Sequence, residues 1–407
     1  MYLADNVYFI KGASCSAIYD LNKCFLYHLN NESTIFLDKF LNSEIQSPSK
    51  DELKFIEKMS KNKILVDYYV QKHDIRELKP SPKIEFVWIE VTKQCNLKCR
   101  HCYNESSPNH SEIMPYHKFC YVVDELVQYG IKKIQLIGGE PFCLNKSLIK
   151  YLDYCINKFQ FIEVFTNGTL VNDTDIEYFK KNNINVALSI YSYISSEHDA
   201  VTGCVGSFNK TKQTISKLNK EGIKYRAKNV LMKGIKIGEK NTELFTLSNK
   251  HDIVRLTGRA DFSLLDDDLI EKKLITEKNF KKQFKKTDVI RSICINKCFA
   301  TRLYISTNLD VYPCVMERRI KHGNLLNNSL LNVLNKEIFE ISKDKISGCK
   351  NCEFRYLCQD CRPNSLSGDL YEKPWFCTYD EENGIWISPK EYILALKNLK
   401  FLDKCLD

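Results

Sequence analysis

Residues 91–103 read VTKQCNLKCRHCY and place three cysteines, Cys95, Cys99 and Cys102, within eight positions. An apolar run, IEFVWIEV over 84–91, stands immediately before them. Three thiols are an odd number for disulfides. They are also one short of the four thiolates that close a structural zinc site or an ordinary iron-sulfur cluster. The CxxxCxxC spacing therefore points to a cluster with one iron left without a protein ligand. A zinc knuckle completed by His101 is the alternative that the same residues allow.

The chain of 407 residues, 43% of them hydrophobic, is long enough for two or three domains with substantial cores. Its first residues, MYLADNVYF, carry no basic segment followed by an apolar run, and no stretch approaches the ~18 apolar residues needed to span a bilayer. A cytoplasmic protein without membrane partners is expected. Eighteen cysteines in a reducing compartment then argue for metal ligation over a disulfide framework. The formal charge of +9 is dispersed along the chain. Bound iron-sulfur clusters carry negative charge that would offset part of it, so nucleic acid is not an expected partner. KKQFKK (281–286) reads as a solvated helix face.

Residues 1–78 have a pattern of their own. NVYFIKGASCSAIYDLNKCFLYHLN contains three short apolar, aromatic and β-branched runs broken at Gly12 and Asn22, which predicts a small antiparallel sheet. Two helices follow, the second announced by Ser49 and Glu52 in a capping box and carrying Leu53, Ile56 and Met59 on one face. KILVDYYV then returns to strand, and ELKPSPK makes a linker. This order predicts a winged-helix-like module. From 79 to 285, strand candidates at 84–91, 133–137, 161–165, 185–190, 225–231 and 252–256 alternate with helical patterns such as YHKFCYVVDELVQYG. About six βα units imply an α/β fold with a parallel sheet, open or curled into a partial barrel, and chemistry at the strand C-terminal ends. The cysteines of 95–102 follow the first strand. Residues 286–382 are cysteine-rich and read as held by metal more than by a large core. Residues 383–407 close the chain with a helix.

CxxxCxxC after the first strand of a βα repeat resembles the signature of the radical S-adenosylmethionine (SAM) superfamily. The resemblance implies a partial (β/α)6 barrel in which Cys95, Cys99 and Cys102 hold a 4Fe-4S cluster whose open iron binds SAM. The reduced cluster cleaves SAM to a 5′-deoxyadenosyl radical, which abstracts hydrogen. Gly138, Gly139, Glu140 and Pro141 follow the second strand and match the family's motif for the SAM amino group, with the glycines read as allowing close backbone approach to a ligand. Thr166 and Asn167 of TNGT, and Ser189 with Tyr191, stand where the family makes further SAM contacts. His101 occupies the position of a ring near the adenine. HDAVTGCVGSF (198–208) resembles a segment of radical SAM enzymes that install thioether links in peptides, with Thr202 where many relatives carry arginine.

Cys349, Cys352, Cys358 and Cys361 form two CxxC pairs, with Cys294, Cys298 and Cys314 upstream and Cys377 downstream. CxxC pairs alone also fit zinc ribbons. Behind a radical SAM barrel the order resembles the SPASM domain. That resemblance implies an auxiliary 4Fe-4S cluster on Cys294, Cys298, Cys314 and Cys361 and a second on Cys349, Cys352, Cys358 and Cys377, three clusters in all. CEFRYLCQDCR, LYEKPWFCTYD and KGASCSAIYDL look closest to the maturases of "grasp-with-spasm" systems. This implies RiPP biosynthesis: a ribosomal precursor peptide bound through its leader, an electron donor such as flavodoxin or ferredoxin, and an ATP-grasp ligase of the same gene cluster. Side-chain crosslinking such as thioether formation is the expected reaction, with a Cα epimerase or a formylglycine-type maturase as enzyme alternatives. A non-catalytic iron-sulfur carrier or scaffold is the alternative of another class. LNKCFLYHLN is the expected leader-docking edge. The remaining cysteines, Cys15, Cys24, Cys120, Cys143, Cys155, Cys204 and Cys405, are expected to pack as small hydrophobes.

Overall fold

The computed structural model describes residues 1–71, 74, 77, 80–235, 252–359, 361–364 and 368–399. Two compact units share the chain: Met1–Pro82, Leu274–Lys297 and Glu340–Leu396 form the first, and Lys83–Lys273, Cys298–Phe339 and Lys397–Asp407 the second. Cys405 lies outside the described residues.

The first unit begins with β1 (Tyr2–Leu3), β2 (Val7–Lys11), β3 (Ser16–Asp20) and β4 (Phe25–Leu29). The last three form an antiparallel sheet in the order β2-β3-β4, with the breaks at Gly12 and Asn22 in its turns. Helices α1 (Asn31–Leu41) and α2 (Lys50–Lys61) follow, and β5 (Leu65–Val66) returns to pair with β1. Ser49 and Glu52 form the reciprocal capping box that their spacing announces. On α2, Met59 is buried but Leu53 is exposed, so the apolar face is only partly used. Strand β3 is buried throughout because successive side chains serve two cores. Ile18 packs with Val7, Leu29, Leu37, Met59 and Leu65. Ala17 and Tyr19 pack with Leu26, Val289, Ile293, Phe354 and Tyr379.

Two expectations fail at one place. KKQFKK is not a helix face: the helix that contains its last lysine begins at Lys286, and Gln283 bridges antiparallel to Phe25. The Leu26 N–H donates to Lys282 O at 2.7 Å and the Phe284 N–H to Cys24 O at 3.0 Å. Phe280 and Phe284 set this register by packing against the core of Tyr19 and Phe354. The outer edge of β4 in LNKCFLYHLN, expected to dock a leader, is thus engaged at its start, from Cys24 to Leu26, by the chain itself.

The second unit is built on β6 (Phe86–Thr92), β7 (Lys133–Gly138), β8 (Phe161–Thr166), β9 (Asn185–Ser189) and β10 (Tyr225–Lys228). Helices α3 (Tyr116–Tyr129), α4 (Ser147–Cys155), α5 (Asp173–Asn182), α6 (Ser195–Thr202) and α7 (Ser207–Lys220) separate them in turn. These strands pair in parallel in sequence order. The run expected over 225–231 breaks at Asn229, leaving β11 (Val230–Leu231) to pair, among the described residues, with β12 (Asp252–Ile253) alone. The sixth strand expected at 252–256 therefore stays outside the central sheet. A different segment, β13 (Arg302–Ile305), pairs parallel to β6 on its other side, and β14 (Asp310–Tyr312) and β15 (Gly323–Asn324) continue antiparallel. The eight-stranded sheet is thus mixed.

Its two faces differ sharply. Val87, Ile89, Val91, Ile134, Leu136, Val164 and Leu188 alternate onto one face, all buried. The other carries Glu90, Gln135, Glu163 and Arg226. The Arg226 guanidinium grips Glu163 with Nε at 2.7 Å and Nη2 at 2.6 Å, and Gln135 Nε2 donates to the same carboxylate. Glu90 accepts from Asn104 Nδ2 at 2.7 Å and from the Thr307 N–H at 3.0 Å. A parallel sheet covered by apolar groups on both faces would not need such pairs. Among the described residues no helix is long and apolar enough to cross a membrane.

Because the Leu26 N–H is already engaged and its side chain is buried, Leu26→Pro is expected to destabilise the first unit by about 2 kcal/mol or more. A melting temperature equal to the parent's in thermal denaturation would contradict that engagement.

Candidate active site

The cysteine loop hangs from the C-terminal end of β6, and the backbone of neighbouring loops fixes it. Gly139 and Glu140 donate their N–H groups to Thr92 O and Gln94 O, both at 2.8 Å. A Cβ on Gly138 would stand 2.1 Å from Thr92 O, and one on Gly139 2.2 Å from Gln94 O. The glycines of GGEP therefore serve the approach of one backbone to another. Pro141 starts the following 3-10 turn, Pro141–Leu144, and is buried.

A second clamp comes from HDAVTG. Lys98 and Arg100 donate their N–H groups to Thr202 O and Val201 O, both at 3.0 Å, at the C-terminal end of α6. The Thr202 hydroxyl pairs with Ser207 Oγ at 2.7 Å, and Asp199 accepts from Gly206 N–H, Ser207 Oγ and Phe208 N–H at the start of α7. Thr202 thus acts by carbonyl and hydroxyl within this turn.

A third clamp was invisible in the sequence. Arg259 Nη1 donates to Cys99 O at 2.9 Å, its Nη2 reaches Glu105 O and Ser106 O, and its N–H donates to Cys102 O at 3.2 Å. Gly258, with φ at +60°, brings it there; a Cβ would lie 2.5 Å from Cys102 O. Nothing in the pattern RLTGRAD separates this arginine from a surface one.

Glu140 is fully buried. Its Oε1 accepts from Thr166 Oγ1 at 2.7 Å and Phe142 N–H at 3.1 Å, and Oε2 from Asn167 N–H at 2.7 Å. Burial pushes its carboxyl up to about 7. Asn167 Nδ2 reaches Asn96 Oδ1 at 2.9 Å, and Asn96 Nδ2 donates to Thr169 Oγ1 at 2.7 Å, so TNGT ties back to the cysteine loop. Tyr191 lies close to Ser189 and Cys99 through its hydroxyl, and its ring meets His101 edge-on at 4.7 Å. His101 Nδ1 is buried with no hydrogen-bond partner among the described residues, and burial lowers the ring to about 4. Cys143, expected only to pack, borders the site: burial and then Glu140 push its thiol up to about 11, and the Asn96 backbone hydrogen-bonds it.

Burial holds Cys95 well above the ordinary thiol range and Cys99 up to about 12. Metal binding must therefore displace their protons. A tetrahedral zinc with bonds of ~2.3 Å would hold its donor atoms about 3.8 Å apart. Among the described residues the one such group within 4.8 Å is elsewhere, and neither Cys95, Cys99, Cys102 and His101 nor the C-terminal cysteines form one.

In the first unit, Cys349, Cys352, Cys358 and Cys377 line one pocket, together with Lys343, Lys373 and Arg355. Burial raises all four thiols, Cys358 up to about 11, and Lys343 and Lys373 draw Cys349 and Cys377 back down. Four thiols in a basic pocket fit an anionic cluster. Of the other set, Cys294 and Cys361 belong to the first unit, and Cys298 and Cys314 to the second.

Five parallel strands of a mixed sheet, with a three-thiol loop at their C-terminal rim, define an α/β fold with the donors for a metal cluster. Residues 89–244 match the Radical SAM superfamily, and the protein is a radical SAM superfamily enzyme, a class that uses SAM and a 4Fe-4S cluster. The chain is 29% identical over 324 residues, 71% of its length and 70% of the relative's, to the antilisterial bacteriocin subtilosin biosynthesis protein AlbA of Bacillus subtilis. It is 29% identical over 136 residues, 33% of each chain, to the sporulation killing factor maturation protein SkfB of the same organism. The fold is shared with Streptococcus suis SuiB bound to precursor peptide SuiA: TM-score 0.55 at 16% identity, covering 91% of this chain and 99% of that one.

Arg259→Ala is expected to lower cluster occupancy at Cys95, Cys99 and Cys102, or SAM cleavage, by roughly 10-fold or more. Arg259→Lys should not restore it, since one ammonium cannot span three carbonyls. Iron content and 5′-deoxyadenosine yield at parental levels in Arg259→Ala would refute the clamp.

Proposed function

We propose that this enzyme matures a ribosomally made precursor peptide, forming a side-chain crosslink such as a thioether. The observation that carries this reading is the likeness over 324 residues to a protein named for bacteriocin biosynthesis. The HDAVTG turn that clamps the cysteine loop adds to it. When bound, a 4Fe-4S cluster on Cys95, Cys99 and Cys102 supplies the electron that splits SAM into methionine and a hydrogen-abstracting 5′-deoxyadenosyl radical. The chain's own groups position the reactants. Glu140, held by Thr166 and Asn167, keeps acceptor capacity for the SAM ammonium group, whose charge would restore its ionised form. Tyr191 and His101 offer ring surface beside Cys99. The paired charges of Glu163 and Arg226 give the polar sheet face fixed donors and acceptors for a peptide.

The pocket of Cys349, Cys352, Cys358 and Cys377 would hold an auxiliary 4Fe-4S cluster, with Lys343 and Lys373 offsetting its charge. Flavodoxin or ferredoxin serves as the external donor, and an ATP-grasp ligase acts on the same precursor. With β4 engaged, β2 remains the sheet edge open to an extended leader, since among the described residues β3 is its one strand partner.

Replacing Cys95, Cys99 and Cys102 together by Ala is expected to abolish 5′-deoxyadenosine formation and to remove about four irons per chain. Coexpression of the parent with short peptides encoded beside its gene should yield one that loses two hydrogens per crosslink. Undiminished 5′-deoxyadenosine in the triple variant would refute the cluster assignment, and a peptide epimerised without mass change would refute the crosslink. Cys377→Ala should still cleave SAM without peptide yet lose crosslinked product; full product from a soluble variant lacking that cluster would give the pocket a structural role only.

A further inference from the structure

Three side chains from separate stretches of the first unit meet with no part in the reading above. Cys15 Sγ, a ring nitrogen of His28 and a carboxylate oxygen of Glu353 all lie within 4.8 Å of one another. Cys15 immediately precedes β3, His28 lies on β4, and Glu353 follows Cys352 in CEFRYLC. Glu353 is fully buried and Cys15 is 6% exposed, whereas the His28 side chain is 41% exposed and gives a path to solvent.

One oxygen of Glu353 is well served. Oε1 lies 2.9 Å from His28 Nε2 and accepts from the Tyr379 hydroxyl. Oε2 is buried and has no hydrogen-bond partner among the described residues. A buried carboxylate with one bare oxygen beside a thiol is an arrangement that a cation completes.

Space is kept beside both of the buried donors. A Cβ on Gly12 would lie 2.6 Å from Glu353 Oε2, and one on Gly384 2.5 Å from Cys15 Sγ. Gly12 is not in the left-handed region, so its missing side chain serves space alone.

We propose that Cys15, His28 and Glu353 bind a divalent transition metal of the zinc type, with a fourth position open to water. One thiolate, one imidazole and one carboxylate form a three-ligand zinc donor set. Calcium and magnesium require oxygen donors, and one thiolate cannot hold an iron-sulfur cluster. The same three side chains could form a nucleophilic cysteine with its base, but burial and the Glu353 charge keep that thiol protonated. The metal would fasten β3 and β4 to the cysteine-rich stretch 349–361 within the unit. This site is independent of the proposed peptide chemistry.

The full chain, replete in iron and sulfide, should retain about one zinc per polypeptide after exposure to zinc and washing with a weak chelator. Zinc absorption spectroscopy should show one sulfur neighbour and otherwise nitrogen and oxygen. Cys15→Ser and Glu353→Gln should each lower retained zinc at least tenfold, with iron and sulfide unchanged. Absence of retained zinc in the parent, or parental zinc in both variants, would overturn the site. If a variant also loses iron through misfolding, the parent's spectrum decides: four sulfur neighbours or none overturns it, and one supports it.

Discussion

The approach of the 138–139 backbone to the 92–94 backbone is the constraint on which the second unit's site depends. With separations of 2.1 and 2.2 Å awaiting any Cβ, no side chain fits at either glycine. Two N–H groups instead reach two carbonyls, and this locks the end of β7 against the first turn of the cysteine loop. Everything else in the site inherits that register. Glu140 comes next in the chain, so its carboxylate is delivered to Thr166 and Asn167 at the end of β8. Asn167 in turn reaches Asn96 beside Cys95. The circuit closes on itself with few flexible links.

The same principle governs the far side of the loop, with different parts. The last carbonyls of α6 are orphan acceptors of a helix end, and the loop's own N–H groups at Lys98 and Arg100 satisfy them. Arg259 does the reverse, filling loop carbonyls with guanidinium donors. The thiols have a few weak partners, among them the Leu97 N–H at 3.4 Å from Cys95 Sγ, while the loop backbone is held on several sides. Such a loop holds its shape while the sulfurs stay available to metal.

The sequence revealed what is local and repetitive. The first five parallel strands, the three-stranded sheet and the Ser49 capping box follow from spacing, since hydrogen-bond and side-chain periods are written residue by residue. GGEP, TNGT and HDAVTG were legible as motifs because each comes at or soon after the C-terminal end of a predicted strand. What failed was long-range. Nothing in YRAKNVL or DIVRL tells that the chain leaves the sheet at Asn229, nor that residues 302–305 supply the parallel strand beside β6. KKQFKK has a helix-like charge pattern, yet Phe280 and Phe284 find partners far away in sequence, and packing overrode propensity. Arg259 and the partners of Cys15 share that character: single residues whose meaning lies in tertiary neighbours.

The first unit is assembled from the two ends and the middle of the chain. Tyr19 donates its hydroxyl to Glu353 O across 334 positions, and its ring packs among residues 284 and 356. At translation rates of roughly 5–20 residues per second, the N-terminal sheet waits on the order of 15–70 s on the ribosome before its second core can form. During that interval the β3 face carrying Ala17 and Tyr19 lacks Phe354, Tyr356 and Tyr379 from its native cover. The topology therefore sets a high contact order and a slow, late docking step for this unit. Chaperone demand in the producing cell would be greatest in that window, before the C-terminal part of the core arrives.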